Sequence, residues 1–390
     1  MSKPRLRIGI AGCGDVAHRF YLPPLAGMAD RVEIVGCCDP RLTAAEKLAE
    51  TVRPWSPGVR PFDRLDDLLA QAAPDAVFNL TPAPVHAQVN RGCLEAGVHL
   101  YSEKPIATTV EEADGLIDLA RSRGLTFLCA PAPAVTRRIR WLRDVIASGR
   151  LGRPTLITGQ CATLGPASWT EYTGDPTVFY GPGVGPVRDL GVYRLHEMIA
   201  LLGPVRRLQA TGTIAIPRRR VLVGALAGGT MEVTAPDHVL MNLEFASGAL
   251  GQLLTSFAIP ATQAPYLEIH LSAGSISLTG DGWGTQDDGA VFAFDPNPAG
   301  APGSAVSAPG DRPIFEGPPD QAGWLHGKVP PVDLDPWPVV SMGPVHFVAC
   351  LRGEEQPILT AEQARHVLEI ILAAYRSIGD GRTQELTTGD

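Results

Sequence analysis

Four side chains in two separated segments are suited to moving a proton beside a polarised oxygen. Lys104 lies just past an apolar strand pattern in Tyr101-Ser102-Glu103-Lys104-Pro105, where an ammonium can hydrogen-bond a substrate oxygen and stabilise charge on it. A salt bridge to Glu103 is the competing role for that lysine. Asp189, Tyr193 and His196 follow a glycine-rich approach, Gly181 to Gly185, at spacings i, i+4 and i+7. If the segment is helical, all three project from one narrow stripe. Val192, Leu195, Ile199 and Leu202 fall on a different face, suited to a core. Periodicity alone does not separate a stripe aimed at a cleft from one facing solvent. A carboxylate, a phenol, an imidazole and an ammonium suit the proton transfer that hydride transfer at a carbinol requires.

Such chemistry needs a hydride carrier, and the N-terminus has the pattern for one. Gly12-Cys13-Gly14-Asp15-Val16-Ala17 follows an apolar strand and opens a helix, which is G-x-G-x-x-A in the context that a dinucleotide turn requires. Gly12 permits the tight turn, Gly14 lets backbone approach a pyrophosphate, and Ala17 allows close helix packing. The helix N-terminus supplies N–H groups for the diphosphate. Asp39, at the end of the second strand pattern, can accept from adenosine ribose hydroxyls. Its charge repels a 2′-phosphate and favours NAD over NADP. Arg41, two residues on, can pair with that phosphate and argues the other way. The competing role for Asp39-Pro40 is to cap the next turn.

The elements that must position these residues are legible as patterns. Strands are expected over 6–11, 32–38, 76–80, 98–102 and 126–130, with helices to about Met28, over 43–51, near 85–96 and over 111–123. Alternating strands and helices signal a doubly wound parallel sheet. Thr109 with Glu112 fits a capping box, as do Thr360 and Gln363. After a helix near 136–148 come longer strands, over 155–164, 205–213, 239–245, 250–257 and 267–272, with a turn at Ser247-Gly248. This half is expected to be largely antiparallel. Residues from about 280 to 338 are rich in Gly, Pro, Asp and Ala, and are expected to form a surface excursion with little regular structure. Helices near 344–351 and over 360–378 close the chain.

A chain of 390 residues is long for one core, so two domains are expected. The formal net charge of -8 argues against nucleic acid or an anionic membrane as the main partner. No segment has the uninterrupted apolar length of a membrane span, and no secretory h-region follows Met1. The seven cysteines are scattered, with no zinc or redox spacing, so reduced thiols in a cytoplasmic protein are expected. No metal ligand set is expected.

Two further segments carry a specific resemblance. They are Asn79-Leu80-Thr81-Pro82-Ala83-Pro84-Val85-His86 leading to Glu103-Lys104-Pro105, and the run from Gly183 through Arg188-Asp189-Leu190-Gly191 to His196. With the dinucleotide turn, they resemble the glucose–fructose oxidoreductase, inositol dehydrogenase and MocA-like family over nearly the whole chain. The resemblance implies an α/β protein: an N-terminal Rossmann domain over 1–130 and a C-terminal α+β domain over 131–390. The latter carries an open, mainly antiparallel sheet, and the C-terminal helix can pack back on the first domain.

Many members of that family place histidine four residues after the aspartate as proton acceptor. This chain has Tyr193 there, which looks like the tyrosine-type branch that includes xylose and dihydrodiol dehydrogenases. Tyr193 is thus the expected proton donor or acceptor, with Lys104 favouring its phenolate. Asp189 orients substrate, and His196 either contacts a substrate hydroxyl or packs behind the site. By the same resemblance, Leu80, Thr81 and Pro82 run beside the nicotinamide ribose, with Glu103 and Pro105 flanking Lys104. His86 either joins that loop or caps the helix beginning nearby. Trp169, Tyr172 and Tyr180 either wall a carbohydrate pocket or belong to the core.

The implied activity is NAD(P)-dependent hydride transfer at a carbinol or keto carbon of a sugar, glycoside or polyol. One alternative keeps NAD bound for redox-assisted glycoside cleavage or epimerisation. A second is a non-catalytic dinucleotide sensor, against which Lys104, Asp189 and Tyr193 together argue. The implied partners are a small carbohydrate and further copies of the chain, as a dimer or tetramer formed through the exposed face of the second-domain sheet.

Overall fold

The computed structural model describes residues 3–170, 172, 174–280, 282, 288–294, 314–315, 320, 324–330 and 335–388. Two compact units divide the chain: Met1–Val135 with Trp337–Glu369, and Thr136–Pro336 with Ile370–Asp390.

The first unit is built on six parallel strands: β1 (Leu6–Ala11), β2 (Val32–Cys38), β3 (Arg60–Phe62), β4 (Ala76–Asn79), β5 (His99–Ser102) and β6 (Phe127–Cys129). Their order is β3-β2-β1-β4-β5-β6, so the order reverses between β1 and β4. Helices on both faces explain the near-continuous apolar character of the central strands. Ile8, Ile10, Ile34 and Phe78 are fully buried, each worth about 1.5–3 kcal/mol of transfer free energy. Sequence patterns missed β3, whose three residues include Pro61. Proline is tolerated there because β3 is an edge strand.

The helices are α1, a π-helical turn Ala17–Tyr21 continued by Leu22–Ala26; α2 (Leu42–Val52); α3, Leu65–Asp67 continued by the π turn Leu68–Ala72; α4 (His86–Glu95); and α5 (Val110–Ser122). The Thr109–Glu112 capping box is formed on both sides. Residues 337–369 complete this unit through aromatic packing. Phe347 lies 5.4 Å from Phe78 and 5.7 Å from Tyr101, ring centre to ring centre. Arg365 adds hydrogen bonds to both oxygens of Asp114, at 2.8 and 3.0 Å.

In the second unit, α6 (Arg137–Ala147) starts at Thr136, whose hydroxyl accepts from the Ile139 amide. Strand β7 (Pro154–Ala162) precedes α7, a π-helical turn Val187–Gly191 continued by Val192–Leu202. Then come β8 (Val205–Thr213), β9 (Arg218–Arg220), β10 (Thr230–Glu232), β11 (His238–Phe245), β12 (Leu250–Ser256), β13 (Leu267–Leu271), β14 (Gly274–Thr279), β15 (Asp288–Phe294) and β16 (Trp324–Lys328). Beyond α8 (Met342–Leu351) and α9 (Ala361–Asp380), β17 (Gln384–Glu385) pairs with β8. The Thr360 hydroxyl accepts from the Gln363 amide at the start of α9.

The large sheet runs β16-β15-β14-β13-β7-β12-β11-β8-β17 and is antiparallel except for β7 beside β12. The expected excursion after residue 280 therefore contributes two regular strands at one end of the sheet, β15 and the edge strand β16; most of its remaining residues lie outside the described ones. Strand β11 alternates buried and exposed residues, leaving Leu240 and Asn242 on an open face.

Candidate active site

The glycine turn sits at the carboxyl end of β1, at the strand-order reversal where open α/β sheets bind ligands. Gly12 has φ +92°, and a Cβ there would lie 2.5 Å from the Leu80 carbonyl, so only glycine allows this approach. Gly14 differs, since a Cβ on it would meet no heavy atom within 4 Å. The space beside that backbone is open, and Asp15 and Val16 are exposed at its rim. Ala17 is fully buried, and its amide donates to the Gly14 carbonyl at 3.1 Å. An open space against glycine backbone where a helix begins fits a dinucleotide diphosphate.

Asp39 is buried beneath this turn. Its Oδ2 accepts from the Cys13 amide at 3.1 Å, and its Oδ1 from the Arg41 amide at 3.0 Å and Nε at 3.4 Å. The two residues expected near the adenosine ribose are thus one bonded pair, with the Arg41 side chain 76% exposed.

At the end of β4, Asn79 organises the next loop from a fully buried position. Its Oδ1 accepts the Thr81 hydroxyl at 2.6 Å, and its Nδ2 donates to Asn90 Oδ1 at 2.7 Å. Asn90 donates in turn to the Ser102 hydroxyl at 3.1 Å and the Ile106 carbonyl at 3.0 Å. His86 does not cap α4, whose start has no side-chain cap. Its ring nitrogens instead lie 2.6 Å from the carbonyl oxygens of Thr81 and Pro105, tying the two loops together. Leu80 is buried below this loop and Pro82 is exposed on it. Glu103 accepts the Tyr21 hydroxyl at 2.7 Å and the Lys104 amide at 3.0 Å. The first unit therefore gathers Thr81, His86, Glu103, Lys104 and Pro105 in one hydrogen-bonded neighbourhood.

In the second unit, Asp189, Tyr193 and His196 share α7. Asp189 and His196 are 7% and 4% exposed, and Tyr193 is partly exposed. A solvent-facing stripe is thereby excluded. The helix is buried on nearly every side, because Val192, Leu195 and Met198 face the core while Arg194 and Glu197 neutralise each other. Asp189 lies in the π turn, whose wider spacing shifts it relative to an ideal helical stripe; such turns gather at functional sites. Tyr180 belongs to the core: it is 1% exposed against Phe257 and Leu190, and its hydroxyl accepts from the Ala167 amide at 3.1 Å. Trp169 packs on that cluster, and Tyr172 meets Phe179 edge-on at 5.5 Å.

Sequence patterns assigned no role to Tyr21, Asn79 or Asn90. The available signal was polar groups in otherwise apolar surroundings: an asparagine ending the run Ala76-Val77-Phe78, and a second inside a helix.

Comparison with known proteins identifies the family and the fold. Residues 6–130 match the NAD-binding Rossmann fold of the Gfo/Idh/MocA oxidoreductases, and residues 139–277 match the C-terminal domain of that family. The chain is 28% identical over 283 residues to dTDP-3,4-didehydro-2,6-dideoxy-alpha-D-glucose 3-reductase of Streptomyces antibioticus, covering 69% of this chain and 82% of that protein. It is 28% identical over 282 residues to D-glucoside 3-dehydrogenase of Escherichia coli (strain K12), covering 72% and 78%. The fold is shared with the WlbA dehydrogenase of Bordetella pertussis, solved with NADH and UDP-GlcNAcA, at a TM-score of 0.69 and 21% identity over 98% of this chain and 99% of that one. An Agrobacterium radiobacter oxidoreductase, solved with NAD+, L-tartaric acid and magnesium, gives a TM-score of 0.73 at 17% identity, covering 98% of each chain. With both halves matched, the protein belongs to the Gfo/Idh/MocA oxidoreductase family, and its N-terminal part is that family's NAD-binding Rossmann domain.

Proposed function

We propose that this oxidoreductase moves a hydride between nicotinamide and a carbinol or keto carbon of a sugar, glycoside or polyol. The observation that carries the reading is the exposure pattern on α7, where Tyr193 is open enough to meet a substrate while Asp189 and His196 are buried beside it. The two sequence relatives, named as a sugar 3-reductase and a glucoside 3-dehydrogenase, support the substrate class.

In this reading residues 1–130 hold the cofactor and residues 131–390 recognise substrate. Gly12, Gly14, Asp15, Val16 and Ala17 take the diphosphate; Asp39 and Arg41 take the adenosine ribose. Leu80, Thr81 and Pro82 line the nicotinamide side. Because the Thr81 hydroxyl gives its hydrogen to Asn79, it faces a ribose hydroxyl as an acceptor. Bound NAD supplies the hydride acceptor or donor. Tyr193 exchanges the hydroxyl proton, Lys104 stabilises charge on the reacting oxygen, and Asp189 orients the substrate. His86, Glu103 and Pro105 hold the Lys104 loop, and His196 supports Asp189 and Tyr193 from the same helix.

Among the described residues no helix is long and apolar enough to cross a membrane. The cysteines are free, and burial pushes the thiols of Cys37, Cys38 and Cys93 up to about 12. Inert reduced thiols fit a cytoplasmic setting. The open face bearing Leu240 fits a homo-oligomer, and a monomer mass by light scattering would refute that assembly.

The deciding experiment follows absorbance at the reduced-nicotinamide band with NAD or NADP against free sugars, inositols, glycosides and keto-sugars. A stoichiometric signal with NAD supports the reading. Silence across the panel, with NAD released on denaturation, shifts it to internal redox chemistry or sensing. Equal use of both cofactors removes Asp39 as the discriminating residue.

A further inference from the structure

The deeply buried arginines of this fold are matched. Arg194 pairs with Glu197, donates to the Gly282 carbonyl at 2.7 Å and lies 4.5 Å from the Tyr266 ring centre. Arg219 pairs with Asp237 at 2.7 Å, and Arg365 with Asp114 and Glu369 at 2.8 and 2.6 Å. Arg138 donates to the Tyr266 hydroxyl at 2.8 Å and the Pro330 carbonyl at 3.3 Å.

Arg188 breaks this pattern. It is partly buried, and its Nε, like those of Arg194 and Arg219, is sealed from solvent without a hydrogen-bond partner among the described residues. No carboxylate among the described residues pairs with it, although it stands one position before Asp189 in the same π turn. The aromatic neighbour that interacts with its charge, Tyr375, gives no counter-charge. Its hydroxyl donates to the Val184 carbonyl, and burial pushes it above the ordinary tyrosine range. Burial likewise pushes the Arg188 guanidinium below the ordinary arginine range, with Tyr375 opposing.

A partly desolvated guanidinium without a carboxylate partner gains from an anion that a ligand brings. The guanidinium fork matches carboxylate and phosphate oxygens, two parallel hydrogen bonds at a time. We propose that Arg188 is an anion-recognising residue of the substrate site, and that the sugar this enzyme takes carries a carboxylate or a phosphate group near its reacting carbon. The inference rests on α7 being the substrate helix, as in the function proposed above, and narrows that substrate to an anionic one. A neutral polyol leaves the charge unmatched.

The test is titration calorimetry on the NAD-loaded protein with methyl β-D-glucoside, D-glucuronate and glucose 1-phosphate as probes. The same titrations are run on Arg188→Gln and Arg188→Lys. One or both anionic probes should bind more tightly than the glucoside, and that preference should fall about 10- to 100-fold in Arg188→Gln. Arg188→Lys should keep part of it, since the charge remains while the fork is lost. Which anionic probe is preferred tells a sugar carboxylate from a sugar phosphate. Equal affinity for neutral and anionic probes in the parent overturns the assignment, as does an unchanged preference in both variants. Arg188-dependent anion binding without a reduced-nicotinamide signal from any sugar keeps the assignment and removes the dehydrogenase. Turnover of a neutral glycoside without anion preference does the reverse.

Discussion

The buried hydroxyl of Tyr21 donates to the carboxylate of Glu103 at 2.7 Å, while the other carboxylate oxygen takes the Lys104 amide at 3.0 Å. The helix that follows the glycine turn is thereby braced against the loop that presents Lys104. Burial, with the Glu103 charge adding to it, pushes the Tyr21 hydroxyl well above the ordinary tyrosine range, so it stays a donor. Tyr21→Phe should therefore cost about 2 kcal/mol, the range for a hydrogen bond to a charged group. Urea unfolding measures it, and a midpoint equal to the parent's would show that the bond contributes nothing net.

Gly12 and Gly14 should respond differently to the same methyl group. Gly12→Ala places Cβ 2.5 Å from the Leu80 carbonyl at a positive φ, and should cost about 3 kcal/mol together with NAD binding. Gly14→Ala meets no protein atom within 4 Å, so it should keep the melting temperature and weaken NAD binding at least tenfold. Thermal unfolding with NAD titration separates the two. Undiminished NAD affinity in Gly14→Ala would place the diphosphate elsewhere.

Tyr193→Phe should lower turnover by about 10²- to 10⁴-fold, the usual contribution of a positioned acid or base, with NAD affinity close to the parent's. Steady-state rates beside NAD titration report both quantities. Undiminished turnover would remove Tyr193 from the proton path.

His366 makes stability depend on pH. It is 4% exposed, and burial pushes its imidazole down from 6.5 to about 4, with Glu369 opposing. Between those values the unfolded chain binds a proton that the folded one does not, so stability falls as pH falls. The full contribution, about 3 kcal/mol, is present above pH ~6.5 and is lost on acidification toward pH ~4. Urea unfolding at several pH values should show this slope, and His366→Gln should flatten it. A variant with the parent's slope would assign the effect to other groups.

Much of the architecture is legible in the sequence because its signals are local. A glycine pair after a strand, a Thr109–Glu112 capping box and a Ser247-Gly248 hairpin turn each depend on a few adjacent residues. The three-residue strand β3 and the five-residue β16 escaped notice because short edge strands take their definition from a neighbour. The π turns in α1 and α7 were equally hidden, since one added residue per turn leaves no mark on composition.

Residue types and spacing, together with the family resemblance they carry, were enough to nominate Gly12, Gly14, Asp39, Lys104, Asp189 and Tyr193 as candidates, because cofactor and proton chemistry restrict which side chains can serve. Folding in three dimensions was needed to show that Tyr180 is core, that His86 joins two loops, that Asp39 and Arg41 are bonded, and that Arg188 has no carboxylate partner among the described residues. Burial and charge matching are sums over neighbours distant in sequence, so no window of adjacent residues contains them.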